Sequence, residues 1–260
     1  MIAFAALVAI PFYYVVVSTL KTQNQVATDP FGLPTTLFLD NYVKAFETVP
    51  LAQAFLNSAY VTVISVSIML LAGSMAAFGV ILRNSWFTRI VGVLLIVPFT
   101  VPFQSTIIPL YQLFAGLRLI DSLEGLILIS SGGAMFSYFL IIGYMRSVPF
   151  EVIEAARVDG AGPFRIYWQI VLPLIRPILV TVGVIQTMGV WNDFIAPSVF
   201  LSSPEKLTII LQVYRPVGQF TTDWPMFMTI TVIVMNPMVV FFVFLQKYIV
   251  SGLAAGSVKG

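Results

Sequence analysis

The chain has 260 residues, of which 59% are hydrophobic and 9% are charged. Soluble domains carry about 25% charged residues, so this composition indicates an integral membrane protein. The net charge of +2 is too small to suggest a nucleic-acid partner. Cysteine and histidine do not occur, which excludes disulfides, thiolate or imidazole catalysis, and metal sites built from these side chains.

Apolar runs along the chain predict an all-α membrane protein with six transmembrane helices, because a bilayer core takes about 20 apolar residues per helix. The predicted spans cover residues 2–20, 54–82, 87–116, 123–145, 174–200 and 225–248 of a single transmembrane domain, 1–260. The first apolar run lacks the basic n-region and the cleavage site of a signal peptide, so we interpret it as a retained helix. The missing basic residues before it suggest a cytoplasmic leader that this sequence does not include.

The distribution of basic residues predicts which side of the membrane each loop faces. With the N-terminus in the cytoplasm, eight Lys and Arg residues lie on the cytoplasmic side and five lie outside. The cytoplasmic set is Arg83, Arg89, Arg146, Arg157, Arg165, Arg176, Lys247 and Lys259, and the outer set is Lys21, Lys44, Arg118, Lys206 and Arg215. The positive-inside rule favours this orientation, which puts the long connection before the fifth span in the cytoplasm.

This connection is predicted to form a helix–turn–helix on the membrane surface. Pro149 suits the first turn of a helix, and Glu151 and Glu154 favour the positive end of the helix dipole. Gly160 can adopt the left-handed conformation that ends a helix. Pro163 can then start a second short helix.

The first of these helices favours a protein partner over a lipid surface. Ala155 and Ala156 are small enough to let the backbone of another protein approach closely. The alternative is an amphipathic helix on lipid headgroups, which would carry bulky apolar residues and a polar face rich in Lys and Arg. Here the helix is short, contains alanine and is acidic at its start. We call residues 147–173 the coupling loop.

Seven residues of the coupling loop resemble the EAA loop of ATP-binding-cassette (ABC) importer permeases at its fixed spacing. The matching residues are Glu154, Ala155, Ala156, Gly160, Ile170, Leu172 and Pro173. Further similarity to the carbohydrate-uptake branch, specifically its six-span maltose-type second permease, covers nearly the whole chain. It is carried by Asn41-Tyr42, by Trp191-Asn192-Asp193-Phe194, and by the ending Phe244-Leu245-Gln246-Lys247-Tyr248 through Gly252 and Gly260.

The resemblance implies that the coupling loop docks into a cleft of a separate ATPase subunit. Dimerisation of two such ATPases on ATP would swing a pair of permeases between inward-facing and outward-facing states. In this scheme Glu154 supplies the charged contact, Gly160 the sharp turn, and Ala155 and Ala156 the close approach. Arg157 and Asp159 belong to the same ATPase-coupling surface.

The same resemblance implies a set of partners in a bacterial or archaeal inner membrane. They are a second homologous permease, two ABC ATPases and an extracytoplasmic solute-binding protein. The sequence contains no G-x-x-x-x-G-K-[ST] phosphate loop. We therefore expect a multi-pass transport subunit with no catalytic residue, metal site or cofactor of its own, while ATP and Mg bind to the partner ATPase.

Polar residues inside the predicted spans are candidates for the substrate pathway, because such residues are costly in lipid and face the bundle interior. The candidates are Ser58, Thr62, Gln104, Gln186, Trp191, Asn192 and Asp193. The hydroxyl residues can instead join helices. Trp191 can be a membrane-interface residue, and Asp193 can be solvated at the outer end of its span. Neutral hydrogen-bonding groups beside aromatic rings favour a neutral, polyhydroxylated solute.

The leading hypothesis is therefore a permease subunit of an ATP-driven, binding-protein-dependent importer for a sugar or oligosaccharide. One alternative is a permease of the same class for another solute, such as glycerol phosphate or a polyamine; the scarcity of buried acidic residues argues against a polycation. Another alternative is an ion-coupled secondary transporter that uses Asp193. Such transporters often contain inverted repeats, which this sequence does not show, and this alternative leaves the coupling loop unexplained. The particular sugar is not specified by these residues, because the binding protein and the partner permease also select it.

Overall fold

The computed structural model of the protein describes residues 2–83, 85–218 and 222–257. Its α-helices are, in chain order, α1 (Ile2–Ser18), α2 (Gln23–Thr28), α3 (Asp40–Thr48), α4 (Leu51–Arg83), α5 (Trp86–Leu94), α6 (Phe103–Gly116), α7 (Leu123–Ser131), α8 (Ala134–Met145), α9 (Phe150–Val158), α10 (Pro163–Ile166), α11 (Leu172–Leu174), α12 (Arg176–Trp191), α13 (Ile195–Phe200), α14 (Ile209–Gln212) and α15 (Trp224–Ser257). Lys259 and Gly260, which the sequence analysis used, lie outside the described residues.

Three stretches of helix are long and apolar enough to cross a membrane: Leu51–Arg83, Leu123–Met145 and Trp224–Lys247. A fourth candidate is a bent pair, in which Pro163–Leu174 and Arg176–Trp191 meet at 76°. The described residues therefore form an all-helical membrane protein with three or four apolar spans by length and composition.

Four of the six predicted spans are not one continuous helix of full spanning length. The span 123–145 divides into α7 and α8, and the span 174–200 contains the 16-residue α12 and the separate α13. The first and third spans also differ from the prediction. The 17 residues of α1 rise about 26 Å, less than the hydrocarbon thickness of about 30 Å. The predicted span 87–116 divides into α5, a 3₁₀ turn over Val97–Thr100 and α6. Pro98 and Pro102 lie at this division, where each removes a backbone donor that a continuous helix would use. The six-span topology therefore stays a prediction.

The chain divides into two compact units. Unit 1 contains the described residues of 1–59 and 193–241, and unit 2 those of 60–192 and 242–257. In unit 1, the side-chain amide of Asn41 donates to the backbone carbonyls of Thr19 and Lys21, both at 2.9 Å. The Tyr42 hydroxyl lies 2.9 Å from Thr19 Oγ1. The Asn41-Tyr42 pair therefore fastens α3 to the end of α1.

In unit 2, a buried core joins the second half of α4 to α8, to the coupling loop and to the start of α12. Its members include Ala77, Phe78, Tyr138, Ile141, Ile153, Ala156, Ile166, Tyr167, Val171, Ile178 and Val182. Helix α4 approaches α8 closely at Gly73, where an added Cβ would lie 2.8 Å from Ser137 Cβ and from the Tyr138 backbone nitrogen. Small residues allow such close contact between membrane helices. This core holds the coupling loop against α4 and α8.

Candidate functional site

The first helix of the coupling loop, α9, has one buried face and one exposed face. Ile153 and Ala156 are 3% and 6% exposed and belong to the core of unit 2. Glu154 and Ala155 are exposed, and Val158 is 88% exposed. This alternation follows the helical repeat, so the helix is anchored on one side and offers a carboxylate, a small residue and an apolar residue on the other.

A Schellman motif ends α9 at Gly160. The N–H of Gly160 donates to the carbonyl of Arg157 at 3.0 Å, and the N–H of Ala161 donates to that of Ala156 at 2.9 Å. The φ angle of Gly160 is +79°, in the left-handed region that favours glycine. The predicted left-handed turn at Gly160 is therefore confirmed. An added Cβ at Gly160 would meet no atom within 4 Å, so this side of the turn is open.

The second half of the coupling loop is helical but irregular. Pro163 starts α10 as predicted, a π-helical turn covers Tyr167–Val171, and α11 follows. Phe164 is 72% exposed and Trp168 is 40% exposed, and their ring centroids lie 6.0 Å apart. Exposed apolar side chains that cluster in this way are typical of interaction sites.

Two residues that were predicted to belong to the ATPase-docking surface make contacts with the chain itself. Ala156 is buried in the core, because it lies one helical turn from Ile153 on the inner face of α9. The guanidinium of Arg157 donates to the backbone carbonyl of Leu82 at 3.0 Å. Leu82 lies in the last turn of α4, where a basic side chain satisfies a free carbonyl and the negative end of the helix dipole. The exposed members of the predicted set are Glu154, Ala155, Arg157, Asp159 and Gly160.

The candidate pathway residues of unit 1, Ser58 and Asp193, make local structural hydrogen bonds. Ser58 Oγ accepts the N–H of Ile209 at 2.8 Å, at the start of α14. Asp193 Oδ1 accepts the N–H groups of Ile195 and Ala196 at 3.0 and 3.3 Å, at the start of α13. Both side chains therefore supply acceptors that the first turn of a helix lacks within itself.

Asn57, the neighbour of Ser58, was not among the predicted site residues. Its side-chain amide donates to the backbone carbonyls of Glu205 and Leu207 at 2.8 and 3.0 Å. Together the two residues hold the connection between α13 and α14 onto α4. The signal in the sequence that could have indicated Asn57 was an amide side chain next to a hydroxyl side chain at the start of an apolar run.

The other five candidates lie in unit 2. Gln186 is buried, and its amide nitrogen donates to the Gly133 carbonyl at 2.7 Å and to Ser137 Oγ at 3.0 Å. The hydroxyl of Thr62 is buried and has no hydrogen-bond partner in the described part of the chain. Trp191 is buried, whereas Gln104 and Asn192 are exposed. The Asn192 amide donates to the Met188 carbonyl of its own helix at 2.8 Å. Ser58, Gln186, Asn192 and Asp193 are thus held by hydrogen bonds to other parts of the described chain.

Unit 1 contains a cavity of about 700 Å³ whose walls are largely apolar. Phe46, Phe55 and Pro237 contribute to it, with Tyr42 and Asn236 as polar members. None of the seven candidate pathway residues lines this cavity. Its apolar walls offer few hydrogen bonds to a polyhydroxylated solute. Within the described ranges, no group of three or more acidic residues is placed to hold a metal ion.

The described residues form an apolar helical membrane protein with a helical loop anchored in its core. Residues 69–254 match the family described as "Binding-protein-dependent transport system inner membrane component". The chain belongs to this family. It is the multi-pass inner-membrane permease, not the ATPase, of a binding-protein-dependent ABC importer, which operates with an ATPase and a periplasmic binding protein.

Curated relatives match along almost the whole length. The probable starch degradation products transport system permease protein AmyC of Thermoanaerobacterium thermosulfurigenes is 33% identical, with 96% of this chain and 91% of the relative covered. The melibiose/raffinose/stachyose import permease protein MelC of Bacillus subtilis is 31% identical, with 98% and 95% covered. These matches confirm the resemblance to carbohydrate-uptake ABC permeases.

A solved structure supports the fold. It is the crystal structure of a bacterial ABC transporter involved in the import of the acidic polysaccharide alginate. The TM-score is 0.84 at 20% sequence identity, and the match covers 95% of this chain and 92% of that chain. At this identity the likeness concerns the fold alone.

Proposed function

We propose that this chain is a six-span permease subunit that pairs with a second homologous permease to import a neutral sugar or oligosaccharide. Two separate ATPases, which bind ATP and Mg, would drive alternating access through the coupling loop. The observation that carries the proposal is the two-faced α9. Its inner face is fixed in the core by Ile153 and Ala156, while Glu154 and Ala155 are exposed.

The docking surface consists of Glu154, Ala155, Asp159 and Gly160. The two carboxylates favour a basic cleft, and Ala155 permits a close approach to a backbone. Exposed Val158 adds apolar area beside them. Ala156 contributes from the inner side by holding α9 in the core, and the exposed Arg157 bonds α9 to the last turn of α4.

The six-span topology is supported by the apolar character of the two irregular segments. Most large side chains of α1 and of the segment from Trp86 to Gly116 are apolar and exposed, as expected of surfaces that face lipid or a partner helix. Breaks at proline are tolerated in a membrane where the freed backbone is buried in protein or lines a cavity. With the N-terminus in the cytoplasm, the coupling loop is cytoplasmic by the positive-inside rule.

The proposed substrate class is supported by the relatives, which are named for transport of starch degradation products and of melibiose, raffinose and stachyose. Four of the candidate pathway residues agree with it. Thr62, Gln104, Trp191 and Asn192 are neutral groups that can bond or stack on a sugar. Ser58, Gln186 and Asp193 support the pathway by fixing the ends and packing of its helices.

The test is uptake by liposomes that contain the full importer, assembled with the ATPase, second permease and binding protein of the same organism. Radiolabelled maltotriose, raffinose and an alginate trisaccharide are the probes. We expect ATP-dependent uptake of a neutral probe, and its loss in Glu154→Lys together with loss of ATPase co-purification. Glu47→Lys, an identical charge change on exposed α3, is the control and should transport normally. Transport by Glu154→Lys at the normal rate, or uptake of the acidic probe alone, would contradict the proposal.

A further inference from the structure

Tyr167 lies where the coupling loop enters the core of unit 2. It is the first residue of the π-helical turn that follows α10, and its side chain is 2% exposed. Its hydroxyl lies 2.8 Å from Oγ of Ser74, a fully buried residue of α4. Single π-helical turns occur often at functional sites. A polar contact thus joins the loop to α4 inside an otherwise apolar core.

The direction of this hydrogen bond follows from the other bond of Ser74. Ser74 Oγ donates its single proton to the carbonyl of Leu70 at 2.6 Å, so towards Tyr167 it can only accept. The Tyr167 hydroxyl is therefore the donor. Two consecutive hydrogen bonds run from the coupling loop to the backbone of α4. Breaking the first would leave a buried donor without a partner, which costs more than the bond itself contributes.

Aromatic contacts continue this connection to the exposed side of the loop. The rings of Tyr167 and Phe78 on α4 have centroids 5.5 Å apart. On its other side, Tyr167 meets Trp168 edge to face at 5.2 Å. Trp168 in turn contacts the exposed Phe164. A continuous row of rings therefore links the outer surface of the loop to α4.

A second hydrogen bond holds the loop to the same helix. Arg157 bonds the carbonyl of Leu82, eight residues beyond Ser74 and so about 12 Å further along α4. One hydrogen bond alone would allow the loop to pivot about it. Two hydrogen bonds at separate points on one helix oppose this rotation.

We propose that Tyr167 is a positioning residue that clamps the coupling loop to α4 through Ser74, so that a movement of the loop moves α4 with it. This inference rests on the proposed function, in which a docked ATPase displaces the loop. It adds a specific transmitting contact on the inner side of the loop, away from the docking surface.

The experiment uses the assembled importer and single-cysteine spin labels, since the native sequence has no cysteine. One label replaces Val152 on α9 and the other replaces Val63 on α4; both side chains are exposed. Spectra are recorded without nucleotide and with ATP and vanadate. In Tyr167→Phe we expect ATPase co-purification and the response at position 152 to persist. The spectrum at position 63 gives the ratio of the displaced to the resting population of α4. We expect this ratio to fall about five-fold, because one hydrogen bond shifts an equilibrium by about this factor.

Ser74→Ala should have the same effect, and the double variant no further effect, because both changes remove one bond. Tyr144→Phe on α8 is the matched control and should respond normally. An unchanged ratio at position 63 in Tyr167→Phe, with Glu154→Lys still losing the ATPase, would overturn this inference and leave the proposed function standing. If Glu154→Lys keeps the ATPase and both responses, the proposed docking fails, and this inference fails with it.

Discussion

Gln186 and Gly133 are joined across two helices of unit 2, because the side-chain amide of Gln186 donates to the Gly133 backbone carbonyl at 2.7 Å. Gly133 lies between α7 and α8, and its carbonyl also accepts the Ser137 N–H at 3.0 Å and the Ser137 hydroxyl at 3.2 Å. The same amide reaches Ser137 Oγ. Gln186 therefore joins α12 to the start of α8, whereas from the sequence it was predicted only as a candidate pathway residue.

The first prediction is that Gln186→Leu destabilises the protein. The substitution removes the interhelical hydrogen bonds of the Gln186 amide to the Gly133 carbonyl and to Ser137 Oγ. Interhelical hydrogen bonds in membranes contribute about 1 kcal/mol. We expect a lower midpoint of thermal unfolding in detergent, followed by size-exclusion chromatography. Asn192→Leu is the control, because Asn192 is exposed and bonds only its own helix. Equal midpoints for the two variants would remove the assigned role of Gln186.

The second prediction concerns the left-handed turn at Gly160. Valine is strongly disfavoured at a φ of +79°, whereas asparagine tolerates this region. Since an added Cβ meets no atom of the described residues within 4 Å, any effect comes from the backbone or from a docked partner. We expect Gly160→Val to lose most ATPase co-purification and Gly160→Asn to retain it. If both variants bind the ATPase equally well, the conformation of the turn does not control docking.

The coupling loop was largely predictable from sequence, because its determinants are local. Gly160 and Pro163 act through their own backbone preferences, and the structure confirms both. The directions of Ala156 and Arg157 were not predictable, since they depend on α4 and the core of unit 2, which are distant in sequence. Gln186 and Ser58 illustrate the same limit: a polar residue in an apolar run does not reveal which helix, loop or solute it meets. The proline-rich run 87–116 was predicted as one apolar span, because hydropathy depends on side chains and is insensitive to missing backbone donors.

The third prediction tests the close approach of α4 and α8. In Gly73→Ala the added Cβ would lie 2.8 Å from both Ser137 Cβ and the Tyr138 nitrogen, so one helix must shift. Overpacking of this kind costs about 1–3 kcal/mol. Gly79→Ala on the same helix meets no atom within 4 Å and should stabilise α4 by up to about 1 kcal/mol. We therefore expect thermal midpoints to move in opposite directions, and a fall in both would show that packing at Gly73 is not the cause.

The fourth prediction is that Asn57→Leu releases the connection between α13 and α14. The variant removes the donor that holds the Glu205 and Leu207 carbonyls, which lie on either side of Lys206. Leucine keeps the side-chain volume, so α4 itself should remain intact. We expect limited trypsin digestion to cleave after Lys206 several times faster than in the native protein, measured by mass spectrometry of the fragments. Ser67→Ala on α4, which loses only a bond to its own helix, should be cleaved at the native rate. Equal cleavage of Asn57→Leu and Ser67→Ala would mean that the connection is held by its apolar contacts and not by the amide of Asn57.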